Sequence, residues 1–267
     1  MRIVRFALLL FFLPILLSSC MPQDKMTVAL DTASTSISKE LVRIDSLLAD
    51  AAEKLSVAGL SGKEAKDVLE GVCSPLPFSV DCITIDTQGV IVDVHPDTFE
   101  SISGTNIGDQ PQVRTMMMNH KPVMSDMFLS VEGIEAVDTA FPIFGAEGDF
   151  IGSVSLLFRP DLLLRAIIEK TVAGTEVNIW VVDTNGLLLY DIMDDHIGLN
   201  LFTAPLYQPF PSLHKIGRRI VNELEGKGTY SFSKPQTNET VTKEAIWKTV
   251  SLYGKEWRIV AYRMTGQ

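Results

Sequence analysis

One hairpin pattern occurs twice in the sequence. In residues 83–92, two short runs of β-branched and apolar residues flank the tetrapeptide Asp-Thr-Gln-Gly at positions 86–89. In residues 181–189, two similar runs flank Asp-Thr-Asn-Gly at positions 183–186. Both tetrapeptides are typical of tight turns between antiparallel strands, because glycine adopts a positive φ without steric cost. The repeat predicts two modules of one architecture rather than a single undivided fold.

The segments that follow each hairpin also match in order. A Gly-x-Asn segment comes next, at residues 104–107 and 198–201, and a helical stretch follows it, at residues 111–119 and 212–225. Three β-rich segments end each half, at 124–130, 136–144 and 150–158 in the first and at 229–233, 243–252 and 257–262 in the second. The chain is therefore predicted to be α+β, with two tandem antiparallel sheets that carry helices. Residues 160–173 are predicted to form the helix that joins the two halves.

A long amphipathic helix is predicted in front of the first hairpin, over residues 31–58. Leu41, Leu48 and Leu55 repeat at heptad spacing, and charged residues occupy other positions, so that one apolar stripe runs along the helix. This stripe must cover either the sheets of its own chain or the same helix of a second subunit. A shorter helix is predicted over residues 63–72.

The first 19 residues have the composition of a secretory signal. Arg2 and Arg5 precede an apolar run over residues 6–17, which is shorter than the roughly 20 residues of a bilayer span. The run ends in Leu-Ser-Ser-Cys, which resembles the lipobox of prokaryotic lipoproteins and implies cleavage before Cys20 and lipid attachment to its thiol. An uncleaved anchor helix, or an ordinary signal beside an unrelated cysteine, is the alternative. All these interpretations place the rest of the chain outside the cytoplasm, behind a tether at residues 20–30.

The composition narrows the classes of function. Lys and Arg total 23 against 33 Asp and Glu, a net charge of −10, which argues against a nucleic-acid partner. No nucleophile elbow, zinc-protease helix motif or phosphate loop is present. The chain is therefore predicted not to be an enzyme, and no cofactor or metal is predicted. Cys73 and Cys82 keep two interpretations, a disulfide, which an extracytoplasmic compartment permits, or two small buried residues.

The order of a long helix followed by two such modules resembles the double Cache sensor domain, over roughly residues 31–263. The most specific match is Lys-Pro-Val-Met-Ser-Asp-Met-Phe at residues 121–128, which is similar to the family's run Gly-Lys-Pro-x-x-Ser-Asp-x-Tyr. The strand, acidic-glycine turn and strand within residues 140–154 also follow the family pattern. The resemblance implies PAS-like modules, in which a central antiparallel sheet often holds a small molecule.

The resemblance also implies a division of the chain. Residues 31–71 would be helical, residues 72–173 would form a membrane-distal module with the linker helix, and residues 174–267 would form a membrane-proximal module. In the amino-acid-sensing members of the family, the distal module carries an Arg, aromatic residues and a later Asp that together hold the ligand. The corresponding positions here are Gln110, Gln112, Val113 and Leu157. The clamp for an α-amino acid is therefore absent, although the pocket is still expected.

Strand alternation suggests which residues line this pocket. It places Asp126, Phe128 and Ser130 on one face of a strand and Asp138 on a face of the next strand. If the resemblance sets the register, these faces point into the distal pocket, beside Gln110 and Gln112, and Arg114 on the preceding helix neutralises one carboxylate. Two carboxylates and an aromatic wall suit a cationic or polyhydroxyl ligand. The alternative is that Asp126 and Asp138 are solvated residues near turns and Phe128 is an ordinary core residue.

Two hypotheses for the function follow from these features. In the first, the chain is a lipid-anchored extracytoplasmic sensory protein of the double Cache type, which binds a small molecule and passes the ligand state to a transmembrane receptor or kinase. In the second, the chain is a structural or interaction module that forms a homodimer or docks a receptor through the apolar stripe of its long helix.

Overall fold

The first element is a single long helix that runs through most of the amino-terminal segment. The structure is a computed structural model that describes residues 24–233 and 240–265, so the predicted leader and Cys20 lie outside the described residues. Helix α1 spans Lys25–Ala58, and helix α2 spans Lys63–Cys73. The start of α1 corrects the prediction, because residues 25–30, predicted as tether, are helical. Met26, Ala29 and Leu30 are buried and continue the apolar stripe towards the amino terminus.

The predicted fold class is confirmed, because α1 is followed by two antiparallel sheets with helices packed against them. The elements of the first module are β1 (Ser79–Asp86), β2 (Ile91–His95), α3 (Pro111–Asn119), β3 (Val123–Met124), β4 (Phe128–Leu129), β5 (Glu135–Phe144), β6 (Phe150–Phe158) and α4 (Pro160–Val172). Those of the second module are β7 (Asn178–Asp183), β8 (Leu188–Tyr190), α5 (Pro211–Asn222), β9 (Gly226–Ser233), β10 (Thr240–Leu252) and β11 (Lys255–Thr265).

The two sheets have the same strand order. In the first sheet it is β2-β1-β6-β5-β3, with the short β4 also paired to β5, and in the second it is β8-β7-β11-β10-β9. In both modules the first strand of the hairpin therefore pairs with the last strand of the module, and the last strand lies in the middle of the sheet. The shared order shows that the repeat seen in the sequence extends to the topology of the two sheets.

The repeated turns also share their hydrogen bonds. Oδ1 of Asp86 accepts the backbone N–H groups of Gln88 and Val90, and Oδ1 of Asp183 accepts the equivalent N–H groups in the second module. The Asn of each Gly-x-Asn segment is also equivalent, because Nδ2 of Asn106 and of Asn200 donates to a carbonyl of the preceding hairpin turn. The sequence repeat is therefore a repeat of specific contacts and not only of hydrophobic pattern.

The apolar stripe of α1 packs against the chain's own sheets. Leu41, Leu48 and Leu55 belong to one continuous core with residues of β5 and β6 in the first module and of β7 and β11 in the second. Polar contacts add to this packing, since Nζ of Lys248 lies 2.5 Å from Oδ1 of Asp31. The stripe that the second hypothesis assigns to a dimer is therefore buried within the monomer.

A disulfide joins Cys73 at the end of α2 to Cys82 in β1, with the two Cα atoms 5.9 Å apart. It fixes the carboxyl end of α2 to β1, which lies between β2 and β6 in the first sheet. Of the two interpretations that the sequence left open, the structure has the bonded one.

The strand predicted over residues 124–130 is wrong, because residues 125–127 break it into β3 and β4. Ser125 is the cause of the break. Its backbone N–H donates to the carbonyl oxygen of Asp138 at 2.8 Å, and its Oγ accepts the backbone N–H of Asp138 at 2.8 Å. The side chain thus replaces a backbone partner, and regular pairing with β5 resumes only at β4.

None of the helices in residues 24–233 and 240–265 is long and apolar enough to cross a membrane.

Candidate functional site

Two aspartates lie on the inner face of the first sheet, on either side of one leucine. Strand pairing sets Asp81 of β1 opposite Leu157 of β6, and Leu157 opposite Asp138 of β5. Directly paired residues in a sheet project from the same face, so both carboxylates point to the same side. The exposed fraction is 1% for Asp81 and 4% for Asp138. Two buried acids therefore lie on the same face of the sheet, one on β1 and one on β5, with β6 between them.

A small cavity of about 20 Å³ lies against these carboxylates. Its polar lining comprises Asp81, Gln110, Ser130, Glu132, Asp138 and Ser155, and its apolar lining includes Phe128 and Leu157. Glu132 reaches the cavity from the turn between β4 and β5, where the backbone N–H of Ser130 donates to the carbonyl oxygen of Ile134. A cavity of this size holds about one water molecule, so the site is nearly closed.

The carboxyl groups of this cavity have few hydrogen-bond donors around them. Oγ of Ser130 is buried without a hydrogen-bond partner among the described residues, and the buried oxygens of Asp81 and Glu132 have no partner there except each other, through the proton that Asp81 holds. Asp138 has a hydrogen-bond partner, because it accepts a hydrogen bond from the hydroxyl of Ser155. No lysine or arginine of the described chain lines the cavity. The site thus concentrates carboxyl groups and has no lysine or arginine of the described chain beside them.

Burial is the main reason why the two aspartates hold their protons. It raises the pKa of Asp81 to about 9, and the nearby carboxylates of Glu132 and Asp138 raise it further. Burial also raises the pKa of Asp138 to about 7, although the hydrogen bond from Ser155 opposes that shift. Carboxyl groups with displaced pKa values in a cavity are typical of functional sites, because burying them costs stability.

Four of the predicted site residues line this cavity. They are Gln110, Phe128, Ser130 and Asp138. Gln112 lies directly beside them, since its Nε2 donates to Oε1 of Gln110 at 2.8 Å. The structure therefore brings five of the seven predicted residues together at one part of the sheet, although the strand alternation used for Phe128 and Ser130 does not continue past Ser125.

Two predicted residues do not reach the cavity. Asp126 is exposed and pairs with Nζ of Lys255 in the second module at 2.8 Å. Arg114 is also exposed, and its Nη2 lies 3.3 Å from Oδ1 of Asp109. Both placements follow from local structure, since Asp126 lies in the break between β3 and β4 and Arg114 is on the outer side of α3. Arg114 therefore neutralises neither buried carboxylate.

Asp81, Glu132 and Ser155 were missed by the sequence analysis. A signal for Asp81 was available, because it alternates with Ile83 and Ile85 along β1 and so occupies a position on the inward face. A lone carboxylate in the apolar phase of a strand indicates a functional or paired residue. Glu132 gave no such signal, since its turn is brought over the sheet only by the tertiary fold.

A wider cleft lies on the outer side of Phe128. It has a volume of about 270 Å³ and is lined by Gln112, Ser125, Asp126, Phe128, Tyr253 and Lys255. Phe128 lines both the cleft and the small inner cavity. The ring therefore lies between the carboxylates and a space that opens towards the second module.

Comparisons with known proteins agree with this architecture. The family profile described as HK/GC/Chemotaxis protein-like, sensor domain, matches residues 39–160, which include α2 and the first sheet. None of the curated proteins matches the chain.

Solved structures with the same fold include an extracellular ligand-binding receptor from Desulfohalobium retbaense. That structure superposes with a TM-score of 0.77 at 29% sequence identity and covers 91% of this chain, which spans only 41% of the receptor chain. The ligand-binding domain of the Pseudomonas aeruginosa PAO1 amino acid chemoreceptor PctB, in complex with L-Arg, superposes with a TM-score of 0.64 at 16% identity, covering 91% of this chain and 95% of its own.

The ligand-binding domain of the Pseudomonas fluorescens chemoreceptor CtaA, in complex with L-isoleucine, has a TM-score of 0.61 at 14% identity, with 91% and 93% of the two chains covered. The chain is thus similar to the extracellular ligand-binding sensor domains of chemoreceptors and of histidine kinases, and the proteins that it resembles are receptor domains rather than enzymes.

Proposed function

We propose that the chain is an extracytoplasmic sensory protein whose first module binds a small ligand that carries a positive charge. The observation behind this proposal is the pair of buried carboxyls of Asp81 and Asp138 on one face of the sheet, with the half-buried Glu132 beside them and no lysine or arginine of the described chain in the cavity. An ammonium or guanidinium group would supply the hydrogen-bond donors and the charge that the cavity lacks. The clamp for an α-carboxylate is absent from the corresponding positions, which favours an amine over an amino acid.

The charge of the whole chain supports a cationic ligand. A net charge of −10 attracts cations before any specific contact forms. Phe128 then offers an aromatic face beside the carboxylates, and a cation over such a face gains further attraction. Long-range charge, local charge and the aromatic wall all select the same class of ligand.

Ligand entry requires a conformational change. The inner cavity of about 20 Å³ is too small for an organic amine, whereas the neighbouring cleft of about 270 Å³ is large enough. Movement of Phe128 and of the segment from Ser125 to Glu132 would join the two spaces. In this proposal the ligand stabilises an open arrangement that is rare without it, which is the basis of a two-state sensor.

The conformational change in the first module would alter contacts of the second module. Asp126 belongs to the moving segment and is paired with Lys255 of the second module. Tyr253, which lines the same cleft, donates a hydrogen bond to Asp45 of α1. A displacement of this segment therefore alters contacts to both the second module and the long helix.

The partner and the mode of attachment complete the proposal. The leader at residues 1–19 and Cys20 support a lipid anchor that holds the chain at the outer side of a membrane. The resemblance to the sensor domains of chemoreceptors and histidine kinases supports a transmembrane receptor or kinase as the partner that receives the signal.

Thermal-shift measurements with matched compounds test the ligand class. Primary amines and diamines should raise the melting temperature of the protein, whereas their alcohol analogues should not. The double variant Asp81→Asn/Asp138→Asn should lose the response, and the control Asp67→Asn, at an exposed position on α2, should keep it. The proposal fails if no amine shifts the melting temperature or if the double variant responds as the wild type does.

The anchor is tested separately in a bacterial host that processes lipoproteins. The wild-type chain should incorporate radiolabelled fatty acid and fractionate with membranes, whereas Cys20→Ala should do neither. Equal labelling of the two proteins would exclude attachment at Cys20 and would leave the ligand-binding proposal untouched.

A further inference from the structure

The second module encloses a larger cavity than the first, and its walls are aromatic. The cavity has a volume of about 290 Å³. Its aromatic lining comprises Trp180, Tyr207, Phe210, Tyr230, Phe232 and Tyr262. Trp180, Tyr230 and Tyr262 come from β7, β9 and β11, so the inner face of the second sheet forms one wall, and Phe210, just before α5, contributes to the opposite side. Mostly apolar walls with a few polar groups are typical of small-molecule sites.

One lysine enters this aromatic space. Nζ of Lys243 lies 4.0 Å from the ring centroid of Tyr262, 4.9 Å from that of Phe232 and 5.8 Å from that of Tyr230. Strand pairing places Lys243 directly opposite Tyr230, on the inner face of the sheet. Burial lowers the pKa of Lys243, and the charge of Asp191 only partly offsets that effect. The ammonium group therefore makes cation–π contacts with these rings, and it loses part of its hydration to do so.

One acid, Asp191, lines the same cavity, and other groups already engage it. Oδ1 of Asp191 accepts the backbone N–H of Met193 at 2.9 Å and lies 3.7 Å from Nδ1 of His196. Among the described residues no carboxylate forms an ion pair with Lys243, so its charge is available to a ligand. Tyr207 lines the same cavity, and its hydroxyl is buried without a hydrogen-bond partner in residues 24–233 and 240–265.

We propose that this cavity is a second ligand site, which binds a small monocarboxylate with an aromatic or apolar body. The carboxylate would meet the ammonium group of Lys243 and accept a hydrogen bond from the hydroxyl of Tyr207, and the body would stack among the rings. The sign of the charge decides against an amine here, because Lys243 would repel a second cation inside a space of low polarity. The volume suits a molecule about the size of phenylacetate.

The two modules would then select opposite charges. The cavity of the first module is lined by carboxyls and by no lysine or arginine of the described chain, whereas the cavity of the second is lined by the half-buried Lys243 and by a single carboxylate, Asp191. This second site stands on its own residues, and it remains if the first module binds nothing.

Isothermal titration calorimetry with the full chain tests the site, with phenylacetate and its neutral isostere phenylacetamide as probes. Phenylacetate should bind, and phenylacetamide should bind at least tenfold more weakly. Lys243→Met keeps the length of the side chain and removes its charge, so it should weaken phenylacetate binding at least tenfold. Lys248→Met is the matched control, because Lys248 lies on the same strand but pairs with Asp31 outside the cavity, and it should bind as the wild type does.

Three outcomes would overturn the proposal. They are the absence of phenylacetate binding, equal affinities for the acid and the amide, and unchanged affinity in Lys243→Met. The melting temperature of each variant shows that it is folded before titration. If Lys243→Met does not fold, Tyr207→Phe replaces it, since that change removes only the unpartnered hydroxyl and should weaken phenylacetate binding several-fold while leaving phenylacetamide binding unchanged.

Discussion

At the scale of single residues, the candidate site depends on carboxyl groups placed where water cannot reach them. Asp81 and Asp138 flank Leu157 in the sheet, and neither has a cation beside it in the described chain. Ionising such groups without a partner costs several kcal/mol, and the empty protein avoids this cost by keeping them protonated. The stability of the protein should therefore depend on pH in an unusual direction.

The free energy of unfolding should fall as the pH rises. The folded state holds the proton of Asp81 up to a pKa of about 9, whereas the unfolded chain releases it near the ordinary value of 3.8. Because the folded state binds the proton more tightly, the stabilisation is complete below the ordinary value and is lost as the pH rises towards 9. The slope is at most about 1.4 kcal/mol per pH unit for each such proton. Urea denaturation between pH 5 and pH 9 measures it.

Asp81→Asn provides the comparison for this pH series. The amide keeps the shape of the protonated acid and cannot ionise, so the variant should lose stability less steeply between pH 5 and pH 9 than the wild type. Parallel curves for the two proteins would show that Asp81 is ionised in the folded state and would contradict the description of the cavity.

At the scale of secondary-structure elements, α1 holds the two modules together. Its stripe of Leu41, Leu48 and Leu55 lies in a core that includes residues of both sheets. The heptad spacing alone could not show this, since the same pattern serves a coiled-coil dimer and a helix that lies on its own sheets. Only the packing of the sheets decides between these two arrangements.

Substitutions on the two faces of α1 distinguish the arrangements in solution. Leu48 is fully buried, so Leu48→Lys should lower the free energy of unfolding by about 4 kcal/mol or more, through lost packing and a buried charge. Val42, which is 58% exposed on the same helix, is the control, and Val42→Lys should change it by less than about 0.5 kcal/mol. A stable but monomeric Leu48→Lys variant of a wild-type dimer would support the interaction-module hypothesis instead.

The elements also show what the sequence could and could not predict. The hairpins and the Gly-x-Asn segments were predictable, because Asp86 and Asp183 make local hydrogen bonds within their own turns. The break after β3 was not, because it depends on Ser125 finding the backbone of Asp138 across the sheet. Hydrogen bonds between residues close in sequence can be predicted from the spacing of those residues. A side chain that replaces a distant backbone partner leaves no periodic signal.

The candidate site shows the same limit. Asp138 and Ser130 were predicted as pocket residues, and both line the cavity. Asp81 occupies an inward position of β1, so the alternation of that strand contained its signal. Asp126 was placed at the pocket on the assumption that its strand continues without a break. Arg114 was placed there on the assumption that its side of the helix faces the pocket. The direction of a side chain is fixed by the fold around it, and spacing alone does not give it.

At the scale of the whole molecule, two similar modules share one helix, and each encloses a cavity with its own chemistry. The ion pair of Asp126 with Lys255 and the contact of Tyr253 with Asp45 connect the wall of the first cavity to the second module and to α1. A ligand in the first module would thus act on the parts of the chain that hold both modules together, which is the arrangement that a sensor needs.

Isothermal titration calorimetry in two buffers of different ionisation enthalpy tests the cation site most directly. At pH 6, the amine that gives the largest thermal shift should bind with release of protons to the buffer, because the incoming cation displaces the protons held on Asp81 and Asp138. Binding to Asp81→Asn/Asp138→Asn should be weaker by at least tenfold. Titrations in which no amine binds, or in which the double variant binds as the wild type does, would contradict the account.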